Sequence, residues 1–120
     1  MDAHVLIVDD DRLLREVIAD FLLANGYRVS TAENASIALA KFNVGEYQLA
    51  IVDQTMPGMS GLELMAKLME QDPDIYCLIM TGYPTIDLVY NTVIEGKSSY
   101  IIKPFQLMEL LNIVQKILTR

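Results

Sequence analysis

The chain has 120 residues, 52% of them hydrophobic and 21% charged, with a formal net charge of −7 and one cysteine, Cys77. That size suits a single domain over 1–120 with its own core, the composition is not that of a disordered chain, and a lone cysteine excludes an internal disulfide. An acidic balance argues against direct nucleic-acid contact, no apolar run approaches the ~18 residues of a membrane span, and Met1-Asp2-Ala3 lacks the basic start of a secretory leader, so the expectation is a cytoplasmic protein with no membrane partner.

In chain order, residues 4–8 (HVLIV) read as a strand that runs into three aspartates, Asp9, Asp10 and Asp11. Residues 12–25 have helical period with Leu14, Val17, Ile18 and Phe21 on one face, Asp11 suits the helix start, and Gly26 suits the cap at its end. Residues 27–32 (YRVSTA) form a second strand, and Asn34 is an N-cap for a helix over 34–43 carrying Ile37, Ala38 and Phe42. A third strand, 48–52 (QLAIV), ends at Asp53; the turn-forming MPGMSG follows, then a helix over 61–71 with Leu62, Leu64, Met65 and Leu68, closed by Asp72-Pro73. A fourth strand, 75–80 (IYCLIM), ends at Thr81 and leads to a helix over 84–95 whose stripe is Ile86, Val89, Tyr90 and Val93, closed by Gly96. A fifth strand, 99–103 (SYIIK), ends at Lys103 and precedes a helix over 105–119 with Leu107, Leu110, Leu111, Val114 and Leu118.

Strand and helix alternating five times imply an α/β fold with a parallel sheet covered on both faces. In such sheets ligands bind beyond the carboxyl ends of the strands. The carboxyl ends here deliver Asp9 and Asp10, Asp53, Thr81 and Lys103. Singly, the aspartates read as a solvated turn or a helix start, Thr81 as a turn residue and Lys103 as a surface lysine; their joint placement on one rim is what those readings leave unexplained. Two carboxylates ~4 Å apart repel by ~4 kcal/mol at an effective dielectric near 20, so Asp9, Asp10 and Asp53 together would either raise a pKa or recruit a cation. A few carboxylates with room for waters match Mg²⁺. A carboxylate nucleophile, Mg²⁺, an ammonium and a hydroxyl are the parts needed to make and break an aspartyl phosphate.

The motifs VDDD at 8–11, DQTMPGMSGLEL at 53–64, MTGYPTID at 80–87 and YIIKPF at 100–105 occur in this order, each at a strand end, and the chain resembles the CheY-like receiver domain of bacterial two-component response regulators from end to end. The resemblance implies a three-layer flavodoxin-like (βα)5 sandwich with strand order 2-1-3-4-5 and a cis Lys103–Pro104 bond. It implies a regulatory phosphoacceptor rather than an enzyme: a sensor histidine kinase or phosphotransfer protein passes a phosphoryl group to Asp53, the conformation switches, and the phosphate is later lost by autodephosphorylation. Mg²⁺ would be held by Asp10 and Asp53 directly, by Asp9 mainly through water, and by the backbone carbonyl of Thr55. Thr81 and Lys103 would contact the phosphoryl group, and Tyr100 would be the switch aromatic. Receivers commonly dimerise or dock partners through the fourth helix, fifth strand and last helix, where Leu88, Met108 and Ile113 are the expected contacts.

Departures are the GKSS run before Tyr100, and Gln54, Thr55 and Tyr83, at positions that in the family tune dephosphorylation by shaping water access; bulky Tyr83 implies slow hydrolysis. TGYPTID leans toward receivers of transcriptional regulators, while the sequence itself fits either a single-domain regulator or a piece of a longer one. The alternatives are a phosphate-independent interaction module of receiver shape and, less favoured, an aspartyl-phosphate phosphohydrolase, whose Asp-x-Asp-x-Thr/Val element is broken at Leu13. His4 reads as a surface residue far from the rim, Cys77 as a buried small hydrophobe, and the seven methionines as packing residues.

Overall fold

The computed structural model describes every residue except Met1, Glu95, Lys97 and Arg120, and describes Val93 and Ile94 by backbone alone. Its elements are β1 (His4–Val8), α1 (Arg12–Ala24), β2 (Arg28–Ala32), α2 (Ala35–Lys41), β3 (Leu49–Asp53), α3 (Gly61–Gln71), β4 (Tyr76–Thr81), α4 (Ile86–Ile94), β5 (Ser98–Ile102) and α5 (Leu107–Leu118). The strands form one parallel sheet in the order β2-β1-β3-β4-β5. The Lys103–Pro104 bond is cis.

Alternate strand residues feed two cores. Leu6, Val8, Ala50, Val52, Cys77 and Ile79 meet Ala38 of α2, Leu64 and Leu68 of α3 and Leu88 of α4. Val5, Ile7, Leu49, Ile51, Leu78 and Met80 face the other way, onto Ile18 and Leu22 of α1 and Leu110 and Val114 of α5. This is why β1 from Val5 to Val8 and β3 from Leu49 to Val52 are wholly apolar: neither face of a central strand meets water. Each such side chain, fully buried, contributes about 1.5–3 kcal/mol.

Side chains set the helix starts. Asp11 accepts from the Leu14 N–H at 3.2 Å and Asn34 from the Ile37 N–H at 2.8 Å. Ser60 and Glu63 form a reciprocal capping box on α3. Gly26 takes φ +94° just after α1, the left-handed geometry that ends a helix most cheaply in glycine.

One helix, α4, presents a different face from the one its periodicity suggests, while α1 departs at a single position: Leu14, Ile18 and Phe21 of its expected stripe pack on the core. In α1 the buried residues are Ile18, Ala19 and Leu22, whereas Val17 is 40% exposed. Apolar residues surround this helix, with Leu13 and Leu23 also exposed, and small Ala19 turns inward. In α4 two of the expected stripe residues face outward and Val89 is half-buried. Ile86 is 90% and Tyr90 62% exposed, while Leu88 and Thr92, one turn apart, are buried. Thr92 belongs inside because its hydroxyl is satisfied locally, donating to the Leu88 and Val89 carbonyls at 3.0 Å. The Val93 side chain of the expected stripe, and Glu95 at its end, lie outside the described residues.

His4 is not a surface residue. Its Nε2 lies 2.8 Å from Ser30 Oγ and its ring packs 4.4 Å from that of Tyr47. The β1 strand opens between β2 and β3, so its first side chain is enclosed by both neighbours.

Candidate functional site at the carboxyl edge of the sheet

The main-chain ladder continues one residue beyond the strands at this edge. Asp9 N–H donates to Ala32 O at 3.2 Å, Gln54 N–H to Met80 O at 2.8 Å, and Lys103 N–H to Thr81 O at 2.7 Å. The residues that end or follow four strands are thus fixed before their side chains make any contact.

Asp9, Asp10 and Asp53 converge, with one carboxylate oxygen of each within 4.8 Å of the others. Asp9 and Asp53 are buried and Asp10 is exposed. Lys103 Nζ lies 2.8 Å from Asp53 Oδ1 and 3.5 Å from Asp9 Oδ2. Asp9 Oδ1 accepts from the Asp11 N–H at 2.8 Å, and Arg15 Nη1 donates to the Asp9 carbonyl at 2.8 Å. Burial pushes the Asp9 carboxyl above its ordinary pKa, the Asp11 N–H opposes that, the Asp53 charge adds to it and the Lys103 ammonium opposes it. For Lys103, burial disfavours the charge, but the hydrogen bond to Asp53 and the fields of Asp9 and Asp53 outweigh it and hold the ammonium above its usual value.

Thr81 is buried at the end of β4, where its Oγ1 accepts from the Tyr83 N–H at 3.1 Å. Its hydroxyl proton stays available for donation. Thr55 is exposed in the loop after β3, and Tyr100 pairs with Ile79 in mid-β5, half-buried against the α2–α3 core. Gln54 Oε1 accepts from the Leu62 N–H at 2.9 Å, which ties its side chain to the start of α3. Arg15 carried no signal beyond being a cation in the second turn of α1. Tyr83 is 87% exposed beside the rim.

The donor set is all oxygen, carries three carboxylates and opens to water on the Asp10 side. Such a set suits a small hard divalent cation that keeps part of its hydration shell.

A flavodoxin-like sheet with an acidic, lysine-closed pocket at its carboxyl edge defines a class of small regulatory α/β domains. The sequence pattern of the family "Response regulator receiver domain" matches residues 5–115, and the chain belongs to that family, the receiver domains of two-component signal transduction. It is 35% identical over 116 residues to the response regulator protein FleR of Pseudomonas aeruginosa, spanning 97% of this chain and 24% of that protein. It is 30% identical to the chemotaxis protein CheY of Bacillus subtilis, spanning 98% of this chain and 99% of CheY. Among solved structures, the response regulator TrrA of Thermotoga maritima, in complex with Mg(2+)-BeF, is 34% identical and superposes with TM-score 0.83 over 96% of this chain and 98% of that one. The chain therefore spans about a quarter of the response regulator protein FleR and nearly the whole of the chemotaxis protein CheY.

Among the described residues, no helix is long and apolar enough to cross a membrane.

Proposed function

We propose that Asp53 accepts a phosphoryl group from a histidine kinase or phosphotransfer protein and that the resulting change in shape is the output. One observation carries this reading: Asp53 sits within 4.8 Å of two further carboxylates and 2.8 Å from Lys103, on a rim built by four strand ends.

Lys103 occupies Oδ1 of Asp53, which leaves Oδ2 as the nucleophile. Oδ2 attacks phosphorus in line with the bond to the donor histidine; that P–N bond breaks and its electron pair stays on the imidazole. As charge spreads over the phosphoryl oxygens, Lys103 shifts part of its hydrogen bonding from Oδ1 to one of them. The Thr81 hydroxyl donates to another. Mg²⁺ held by Asp9, Asp10, Asp53 and the Thr55 carbonyl would neutralise the carboxylates and screen the incoming phosphoryl charge.

The switch follows from connectivity. Moving Thr81 toward a phosphate moves the Tyr83 N–H that it holds, and with it the loop into α4. Tyr100 then turns further into the space beside β4. Phosphorylation acts through its differential interactions with the two states. The face formed by α4, β5 and α5 exposes Ile86, Tyr90, Ile102 and Met108, and these are the side chains through which a homodimer or output partner would bind. Leu88, expected there, is buried and takes no part, and Ile113 is half-buried against α5's own core. On this reading the protein acts in the cytoplasm, does not bind nucleic acid through this domain, and serves either alone or as the input of a longer transcriptional regulator.

The test is mass spectrometry after treatment with a small phosphodonor and Mg²⁺. Wild type should gain one phosphate on the peptide holding Asp53, and Asp53→Ala none. A stable absence of labelling would favour a phosphate-independent module; label on another side chain would refute the assignment.

A further inference from the structure

Arg15 sits in the second turn of α1 with its guanidinium turned back over the helix start. Nη1 donates to the main-chain carbonyl of Asp9 at 2.8 Å. Three aspartates lie close by in sequence, yet among the described residues Arg15 pairs with none of them. The carbonyl it holds belongs to the peptide unit that joins Asp9 to Asp10.

That unit has unequal ends. On the Asp9 side the backbone N–H is bonded to Ala32 and the carboxylate to the Asp11 N–H and Lys103. On the Asp10 side the carboxylate is exposed, and among the described residues it accepts no hydrogen bond. The direction in which Asp10 is presented therefore depends on the plane of the peptide behind it. Asp11 is committed to capping α1 through the Leu14 N–H and cannot supply that restraint.

We infer that Arg15 is a positioning residue for the metal set: by holding the Asp9–Asp10 peptide plane it aims the Asp10 carboxylate into the pocket. This rests on the reading of Asp9, Asp10 and Asp53 as Mg²⁺ ligands. Partners behind a ligand set are commonly worth about 10–100-fold in metal affinity.

Charge and position predict opposite signs here. A fixed guanidinium near a dication site repels the dication, so removing its charge would tighten Mg²⁺ binding if Coulomb terms dominated. Losing the restraint on Asp10 would weaken it. Mg²⁺ titration of the unphosphorylated protein, followed by calorimetry and by the amide resonances of Asp10 and Asp53, reads that sign without any phosphodonor. Arg15→Gln should bind Mg²⁺ about tenfold more weakly than wild type, at an unfolding midpoint showing it is folded at assay temperature. Arg15→Lys, whose ammonium can reach the same carbonyl, should recover most of the loss. Unchanged or tighter binding by Arg15→Gln overturns the inference, as does an Arg15→Lys protein as weak as Arg15→Gln. Should Arg15→Gln not fold, the carbonyl-carbon resonance of Asp9 in Arg15→Lys decides: a wild-type shift supports the inference, and the shift of a solvated carbonyl overturns it. Asp10→Asn is the control. If it binds Mg²⁺ as wild type does, the metal reading fails rather than the role of Arg15.

Discussion

Lys103 Nζ lies 2.8 Å from Asp53 Oδ1 and bridges to Asp9 at 3.5 Å, so one ammonium lies between the two buried carboxylates of the rim. Lysine here is a mobile point charge on a flexible stem, able to leave a carboxylate oxygen for a phosphoryl one without changing its anchor in the chain. Lys103→Met keeps the stem and deletes the charge. Labelling of Asp53 by a small phosphodonor should slow on the order of a hundredfold, measured as the rate of mass gain at saturating Mg²⁺.

Gly61 stands where the chain passes closest to the back of Asp53. A Cβ at this position would lie 2.7 Å from the Asp53 carbonyl oxygen and 2.9 Å from Gln54 Cα, both main-chain atoms that cannot turn away. Gly61→Ala should cost about 1–3 kcal/mol, read from urea unfolding, and should weaken Mg²⁺ binding because α3 must draw back from the end of β3.

Tyr83 projects into solvent two residues beyond Thr81, with its N–H fixed by that threonine's hydroxyl. If its ring swings over the rim, it would impede a water approaching the proposed acyl phosphate. Tyr83→Ala should shorten the phosphate half-life severalfold, followed by loss of the phosphorylated mass after donor removal; an unchanged half-life would refute the shielding role.

His4 titrates below its ordinary value of 6.5, from burial first and the charge of Arg28 second, with Glu46 opposing. The fold therefore prefers the neutral ring. Above the unfolded value both states are neutral and nothing is lost. As pH falls below it the unfolded chain takes up a proton that the folded protein resists, and stability declines until the folded value is passed. Urea midpoints taken across this window should fall for wild type and fall less for His4→Gln.

Cys77 is buried in β4 and its thiol is pushed up to about 12 by desolvation. The thiolate is the reactive form. Alkylation at mildly alkaline pH should be undetectable in the folded protein and rapid in denaturant, which makes Cys77 a built-in reporter of unfolding.

The alternation of strands and helices and the rim were legible from local pattern, apolar runs and polar residues placed where those runs stop, whereas the strand order came only with the resemblance to receiver domains, because it depends on pairing between segments distant in sequence. Asp9, Asp10, Asp53, Thr81 and Lys103 each stand within two residues of a strand end, and a strand end is among the clearest features of a sequence. What periodicity misread was α4. Ile86 and Tyr90 look like core by hydropathy and Thr92 like surface, yet Thr92 satisfies its own hydroxyl within the helix and costs little to bury. Arg15 and Gln54 were hidden for a different reason. Each acts on a main-chain atom, the Asp9 carbonyl or the Leu62 N–H, and such a partner leaves no mark in residue identity. His4 was misjudged because a strand's first residue looks terminal in sequence, while in a central strand it is flanked on both sides.

The inverted packing of α4 has a consequence for how the molecule divides its labour. Among the described residues of α4, Leu88 and Thr92 are the buried ones, and its exposed residues Ile86 and Tyr90 carry little folding constraint. Replacing Ile86 or Tyr90 should therefore leave melting behaviour and phosphate chemistry nearly intact while changing which protein recognises the domain. On the proposed reading, recognition and reaction would then be separately adjustable, each set by a different edge of one scaffold.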